Sequence, residues 1–294
     1  MSQTETDNDG SMEDADKPAF LLCLLLDGLG ISQATEANAV AIAKMPNFSR
    51  FVKQYPVTLL SGGDADPRRR YYSLGCGSLE IIDGPSPLGE ALSNEGRRVL
   101  KICGSEQLTS LNYHFNGQKE LPYPGEDRLA VTTPSRGSSL KEFAKELSGL
   151  IAASLKRRKH DVIIASLPFA QEASANGDFK DTVRSLQQID RLIGKIADIV
   201  LNTSGILIIT APYGNAEKTK DLAADWEDRE PTENPVPFLV IGKEYEGKTI
   251  GLADPLEGDL SVLAPAGTLA DFSPTVLSLL GIAKPEGMLG KSLI

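Results

Sequence analysis

Two segments of the chain place polar residues where an α/β protein would carry out chemistry. Asp27 directly follows the apolar run at 19–26, and a P-Y-G-N segment at 212–215 follows a second apolar run at 206–211. In parallel sheets ligands gather at the carboxyl ends of the strands, so both segments are predicted to lie at that edge. A carboxylate there is either a hard ligand for a divalent cation or a cap for the free N–H groups of the next helix.

Charged and aromatic side chains provide three further candidates. Arg68, Arg69 and Arg70 predict either a solvated surface turn or an anion site formed by guanidinium groups. The basic segment 156–159 is typical of an exposed helix end, where cations interact favourably with the helix dipole. Trp226, the only tryptophan, lies in the acidic segment 221–233 and predicts either a partner contact or packing over a cleft.

Alternating apolar and amphipathic segments indicate the elements that position these residues. Continuous apolar runs bounded by turns predict buried strands, as in a parallel sheet. Strands are predicted at 19–26, 57–60, 99–103, 128–132, 161–167, 206–211 and 235–241, with a hairpin-like piece containing Asn116-Gly117 between the third and the fourth. Helices are predicted at 37–54 (with a break near Pro46), 138–158, 179–201 and 274–280. This alternation predicts an α/β sandwich around a largely parallel sheet, in one domain over 19–294.

Composition limits the class of protein. The net charge of −10 opposes a nucleic-acid-binding surface, which needs a basic field. The longest apolar run has eight residues, whereas a membrane-spanning helix needs about twenty, so no membrane partner is predicted. Three cysteines without a CxxC pattern, and an N-terminus unlike a secretory signal, predict a cytoplasmic location. Residues 1–18 hold six acids against one lysine, which predicts a disordered acidic tail that serves solubility or docks a partner.

A series of ordered motifs identifies a related family. The motifs are L-L-L-D-G-L-G at 24–30, N-A-V-A at 38–41, M-P-N at 45–47, S-L-G-C-G at 73–77, N-Y-H-F-N-G at 112–117, G-E-D-R at 125–128, I-I-T-A-P-Y-G-N-A-E at 208–217, N-P-V-P-F at 234–238 and G-M-L-G-K-S-L-I at 287–294. With them, residues 19–294 resemble cofactor-independent (2,3-bisphosphoglycerate-independent) phosphoglycerate mutase, of the alkaline phosphatase superfamily. The resemblance implies an alkaline-phosphatase-like three-layer sandwich, two metal ions (typically manganese) and a serine nucleophile that carries the phosphoryl group.

The chain departs from this family at nearly every position that carries the chemistry. The resemblance implies that Asp27 keeps one metal-ligand position, whereas an ungapped placement puts Pro67 at the nucleophilic serine. The other changed positions are Pro212 and Tyr213 for the T-A-D-H ligand pair, Gln171 and Ala175 for an Asp and a His ligand, Pro231 for the last His, and Gln107 for the catalytic lysine. Proline and alanine side chains offer no metal-binding atom. A tyrosine phenol, with a pKa of about 10, keeps its proton at neutral pH. Asp27 is therefore interpreted as a vestigial ligand position.

Two observations independent of single positions support this interpretation. A two-metal site of this kind needs several imidazoles, but the chain has only His114 and His160, and neither follows a predicted strand. The resemblance also implies that the domain which the mutase inserts after the segment matching residues 73–77 is reduced here to a short connector at 78–100.

These departures predict a catalytically inactive, phosphoglycerate-mutase-like pseudoenzyme that acts as a binding, scaffolding or regulatory module, with no cofactor and with an unidentified protein as its partner. One alternative is a metal-dependent phosphatase or phosphomutase-type enzyme with a rearranged site at Asp27. Its candidate ligands are Gln171, Glu172, Asp178, Asn215 and Glu217. A second alternative is a sensor that binds a phosphate-type anion through Arg68, Arg69 and Arg70.

Overall fold

The computed structural model describes residues 18–33, 35–135, 140–221, 226–250 and 258–294. The predicted acidic tail therefore lies, except for its last residue, outside the described part. The strands along the chain are β1 (Leu21–Leu25), β2 (Val57–Ser61), β3 (Val99–Gly104), β4 (Glu126–Val131), β5 (Val162–Ser166), β6 (Ile206–Thr210), β7 (Lys220–Asp221), β8 (Trp226–Glu227), β9 (Val236–Ile241) and β10 (Gly267–Thr268). Strands β7 and β8 form a small ribbon, and the other eight form one sheet in the order β10-β2-β9-β6-β1-β5-β3-β4.

The main sheet is mostly parallel. Strand β9 pairs antiparallel with both β2 and β6, whereas every other neighbouring pair is parallel. Every residue of the three central strands β5, β1 and β6 is buried. Strands covered on both faces have no solvent side that would need alternating polar residues, which explains their continuous apolar runs.

Helices form two layers around the sheet. They are α1 (Ala39–Ile42), α2 (Pro46–Gln54), α3 (Pro67–Cys76), α4 (Leu88–Asn94), α5 (Lys141–Arg157), α6 (Phe169–Ala175), α7 (Phe179–Asn202) and α8 (Phe272–Leu279). The first layer consists of α7 together with α1, α2, α5 and α6, each of which contacts α7, and the second consists of α3, α4 and α8, which contact one another. The predicted α/β three-layer sandwich is confirmed. Across the described ranges, no helix is long and apolar enough to cross a bilayer.

The segment between β3 and β4 differs from the sequence prediction. These strands are parallel neighbours, so the piece containing Asn116-Gly117 is not a hairpin. It contains a 3₁₀ turn at Ser105–Gln107 and a π-helical turn at Ser110–His114. A hairpin signal identifies the tight turn, but the direction of the next strand depends on the longer path of the chain around it.

The three arginines lie on a helix and not on a surface turn. The Asp66 carboxylate accepts the Arg68 backbone N–H at 2.9 Å, and Pro67 occupies the first helical position. Both features favour a helix start, and together they begin α3. The predicted connector at 78–100 follows this helix, contains α4 and leads into β3.

Helix α3 lies unusually close to the segment before β4. A Cβ atom on Gly75 would lie 1.9 Å from the Phe115 carbonyl oxygen, so only glycine fits at this crossing. Gly77 then ends the helix with a φ of 63°, the left-handed conformation that glycine adopts without strain. The two glycines fix how far α3 reaches over the carboxyl edge of the sheet.

Candidate functional site

The carboxyl ends of the three central strands meet at one point. Leu25, the last residue of β1, pairs with Ser166 at the end of β5 and with Thr210 at the end of β6. Asp27 follows β1 by two residues, and its backbone carbonyl accepts the Gln171 N–H of α6 at 3.1 Å. The predicted position of Asp27 at the carboxyl edge of the sheet is thus confirmed.

Three hydroxyl groups surround the fully buried Asp27 carboxyl group. The Tyr71 hydroxyl lies 2.9 and 2.8 Å from its two oxygens, the Ser166 hydroxyl 3.2 Å from Oδ1, and the Tyr213 hydroxyl 3.4 Å from Oδ2. Burial raises the pKa of Asp27 from 3.8 to about 7, although the hydrogen bonds from the three hydroxyls oppose part of that rise. Near neutral pH this carboxyl group therefore has a substantial protonated fraction.

The two tyrosines reach Asp27 from opposite elements. Tyr71 comes from the middle of α3, and Tyr213 comes from the loop after β6. The backbone carbonyl of Tyr213 accepts the Gly28 N–H at 3.1 Å. Both phenols are buried, and burial raises the pKa of each well above 10. The next largest cause is the negative charge of Asp27. Both phenols therefore stay protonated near neutral pH, as neutral donors to the carboxyl group.

A cavity of about 530 Å³ lies above Asp27 and Tyr213. It is also lined by Glu106, Gln107, Ser110, Thr133, Pro134, Ser135, Gln171, Glu172, Ala175 and Asn176. The structure therefore brings together Gln107, Gln171, Ala175 and Tyr213, which sequence comparison placed at separate family positions. Neither His114 nor His160 lines the cavity.

Of the five candidate ligands for a rearranged metal site, two share this cavity with Asp27, namely Gln171 and Glu172. The Asp178 carboxylate caps α7 by accepting the Asp181 N–H at 2.9 Å. The Asn215 side chain donates to the Glu230 carbonyl at 2.8 Å, and its Oδ1 is buried without a hydrogen-bond partner.

Glu217, the fifth candidate, is engaged by donors from three segments of the chain. Its carboxylate accepts the Gly30 N–H at 3.1 Å, the Asn215 N–H at 2.8 Å and the Asn234 amide at 2.9 Å, and it also contacts the Thr232 hydroxyl. Within the described ranges, no three His, Cys, Asp or Glu side chains are grouped so that they could hold a metal ion.

The three arginines have different environments. Arg68 and Arg69 are exposed and form ion pairs with Asp66 at 3.1 Å and Asp64 at 2.9 Å. Arg70 is buried, where its Nε donates to the Asp64 carbonyl and its Nη1 to the Pro212 carbonyl at 3.4 Å, while its Nη2 lacks a partner. Each of the three guanidinium groups already has an acceptor within the protein. An anion site that uses all three arginines stays a prediction.

The remaining sequence candidates lie away from Asp27. In the basic segment 156–159, Lys159 follows the end of α5, and its ammonium group pairs with Asp127 at 2.8 Å. His160 also contacts Asp127, at 2.8 Å. The Trp226 side chain lies outside the described residues.

Two residues of the site are absent from the sequence prediction. Tyr71 follows the three arginines, whose charge dominates the interpretation of that segment. Its position one helical turn after Pro67 is nevertheless a signal, because residues four apart lie on the same face of a helix. Ser166 is a polar residue that ends an otherwise apolar strand, as Thr210 does. Polar residues at such strand ends are a detectable signal for this edge.

Comparisons with known proteins identify the family to which this chain belongs. The model of the Metalloenzyme superfamily matches residues 18–284. The chain is 31% identical over 210 residues to the 2,3-bisphosphoglycerate-independent phosphoglycerate mutase of Shewanella baltica. It is 34% identical over 211 residues to that of Synechococcus sp.. Each match covers 70% of this chain but 38% of the relative, so the chain spans about two fifths of the length of these relatives.

Solved structures show the same fold. A Leishmania mexicana phosphoglycerate mutase at low cobalt concentration aligns with a TM-score of 0.59 at 20% identity, over 72% of this chain and 39% of that one. The alkaline phosphatase of the Antarctic bacterium TAB5 aligns with a TM-score of 0.62 at 11% identity, over 92% and 99% of the two chains. The family resemblance inferred from the motifs is confirmed, and the chain belongs to the Metalloenzyme superfamily, with the alkaline-phosphatase-like fold.

Proposed function

We propose that this chain is a catalytically inactive, phosphoglycerate-mutase-like protein that works as a binding or regulatory module. One observation carries the proposal: the Tyr71 hydroxyl lies within hydrogen-bond distance of both oxygens of Asp27. The carboxyl group that keeps a family ligand position is thereby already engaged by protein donors.

A neutral phenol and a metal ion compete for the same carboxylate lone pairs. Tyr71 and Tyr213 aim hydroxyl groups at Asp27, and a divalent cation would have to displace both donors from a fully buried site. Neither phenol can replace the lost ligands near neutral pH, because burial raises the pKa of each well above 10.

The residues at the other family positions do not fit a two-metal centre. Pro67 begins α3 and offers no nucleophilic oxygen, and the side chain of Pro212 offers no ligand atom. The Glu217 carboxylate already accepts the backbone N–H groups of Gly30 and Asn215, so protein donors occupy the lone pairs that a metal ion would need. We therefore propose no phosphoryl-transfer step in this chain.

Metal content is the first test of the proposal. Purified protein is incubated with manganese, desalted and measured by elemental mass spectrometry, alongside an Asp27→Asn variant. We expect near-zero manganese in both proteins. Close to two ions per chain in the wild type, lost in Asp27→Asn, would contradict the proposal and support the rearranged metal site.

Phosphatase activity provides the second test. In the presence of manganese, the wild type is expected to hydrolyse p-nitrophenyl phosphate no faster than the Asp27→Asn variant. A faster rate in the wild type that requires both manganese and Asp27 would refute catalytic inactivity. If both tests agree with the proposal, affinity capture with and without residues 1–17 addresses the predicted protein partner.

A further inference from the structure

A cationic surface lies at the amino edge of the main sheet, where its parallel strands begin, opposite to the edge that holds Asp27. Two segments form it, the one before β3 and the one that joins α5 to β5. The Arg98 carbonyl accepts the N–H groups of Asp161 at 2.9 Å and Val162 at 3.2 Å, which holds the two segments side by side. We call the cations of these segments the basic surface; they are Arg97, Arg98, Lys156, Arg157, Arg158 and Lys159.

Most cations of the basic surface have no acidic partner among the described residues. Arg97 pairs with Asp161 at 3.6 Å, and Lys159 pairs with Asp127 at 2.8 Å. The other four are exposed and form no ion pair with the described part of the chain, namely Arg98, Lys156, Arg157 and Arg158. The dipole of α5 explains cations in the last turn of that helix, but not Arg98, which precedes β3.

A cavity of about 310 Å³ lies beside the basic surface. Its charged and imidazole side chains are Asp127, Arg128, Arg157, Lys159 and His160. The Arg128 guanidinium group already contacts the Glu126 carboxylate and two backbone carbonyls, while Asp127 engages Lys159 and His160. Arg157 is therefore the cation of this described lining that is free to bind an acidic side chain placed in the cavity.

The first strand of the sheet begins next to the basic surface. Leu21 pairs with Val162, and its N–H donates to the Asp161 carbonyl at 2.8 Å. The chain that precedes β1 therefore joins the sheet beside the segment that follows α5. Residues 1–17 hold six acids and one lysine, so their side chains carry a charge of −5. A segment of 17 residues extends to at most about 60 Å, which brings all of the basic surface within its reach.

The other flank of β1 at this edge is less suitable for an acidic segment. There β6 begins beside the end of β9, because Leu207 pairs with Ile241. The segment 243–248 that follows β9 holds two lysines and two glutamates, so its charges balance. Charge complementarity therefore favours the basic surface over this flank.

We propose that residues 1–17 bind the basic surface of the same chain through their carboxylates. Exposed ion pairs are individually weak. A tether, however, gives the segment an effective concentration in the millimolar range, so weak pairs suffice. Bound in this way, the segment covers the basic surface against other acidic segments. The inference is independent of the proposed function, since the basic surface and Asp27 lie at opposite edges of the sheet.

Paramagnetic relaxation in the full chain tests the proposal. The three native cysteines are buried, so a nitroxide label attaches selectively to a Ser11→Cys variant. Broadening of the backbone amide signals of Arg98 and Lys159 is measured against the reduced, diamagnetic label. Measurements at about 50 mM and about 500 mM NaCl differ about threefold in the distance over which charges act.

Two charge variants of the labelled chain show whether the basic surface is the binding site. Arg157→Gln with Arg158→Gln removes two of its unpaired cations. Lys180→Gln with Arg191→Gln removes two exposed cations of α7 and is the matched control. Thermal unfolding checks that each variant is folded, and Arg98→Gln with Lys156→Gln repeats the test should the first pair fail to fold.

The dependence of the broadening on charge distinguishes binding from mere proximity, because a tethered label that does not bind also broadens nearby signals. We expect the broadening at low salt to fall by about half or more at high salt and in the variant of the basic surface. It should stay within about a tenth of the wild-type value in the α7 control. Broadening that ignores salt, or that falls equally in both charge variants or in neither, would overturn the inference.

Discussion

Replacing Asp27 with asparagine should change how the stability of the protein depends on pH. The folded chain holds this carboxyl group at a pKa of about 7, well above its ordinary value of 3.8. Between the two values the unfolded chain has released the proton and the folded chain has kept it. The unfolded state then binds fewer protons, so the free energy of unfolding falls as the pH rises through this window and levels off above it.

The size of the effect follows from the shift. Each pKa unit corresponds to about 1.4 kcal/mol, so Asp27 should cost the wild type about 3 kcal/mol of unfolding free energy between about pH 5 and about pH 8. Asparagine resembles the protonated acid in shape and cannot ionise. The Asp27→Asn variant should therefore lose about 3 kcal/mol less than the wild type over this pH range.

Urea unfolding at the two pH values, followed by circular dichroism, measures this difference. Other titrating groups affect both proteins equally and cancel when the two pH dependences are subtracted. Asp198→Asn removes a carboxylate from an exposed position of α7 and should behave like the wild type. Equal pH dependence in wild type and Asp27→Asn would refute the reasoning. A bound cation would hold Asp27 ionised and remove the predicted loss of stability, so the experiment also tests the rival metal site.

Three further substitutions test buried contacts of the structure. Glu217→Gln should lower the free energy of unfolding by more than about 2 kcal/mol, because the carboxylate accepts several buried N–H and hydroxyl donors, and urea titration measures it. Gly75→Ala should cost more than about 3 kcal/mol or prevent folding, because its Cβ would meet the Phe115 carbonyl oxygen at 1.9 Å; a change within about 0.5 kcal/mol would contradict this packing. Lys101→Met should destabilise by about 2 kcal/mol or more, because it removes the ammonium group from two buried acceptors, the Asn116 Oδ1 and the Glu126 carboxylate, and leaves Arg128 as the remaining cation at Glu126; thermal unfolding should show a lower midpoint.

The sequence contains enough information for most of the fold, because local patterns determine most of its elements. Apolar runs predicted the buried strands, and apolar spacing predicted α7 to within one residue at its C-terminal end. Directions of neighbouring strands were harder. β9 has the same continuous apolar pattern as β1, yet it pairs antiparallel with both neighbours. Burial on both faces produces that pattern in either direction, so the pattern predicts burial and not orientation.

The site was predictable in position but not in its contacts. Asp27 and Tyr213 follow apolar strands, and this local signal predicted the edge where they meet. Tyr71 was missed because its contact with Asp27 depends on how far α3 crosses the sheet, which the close approach at Gly75 fixes through a distant carbonyl oxygen. Burial of Arg70 was missed for the same reason, since its acceptor, the Pro212 carbonyl, comes from a loop 142 residues away.

The two tyrosines solve one physical problem at Asp27. An ionised carboxylate in a fully buried site is unfavourable unless a cation or strong donors compensate it. Here burial favours the protonated acid, which can donate its own proton, while the Tyr71 hydroxyl donates to the remaining lone pairs, so neutral groups can satisfy one another without a cation. Replacing Tyr213 alone by histidine would leave the closer Tyr71 donor in place and the carboxyl group still engaged. Recovery of cation binding therefore requires changes at both tyrosines, and their effects on metal affinity should be non-additive.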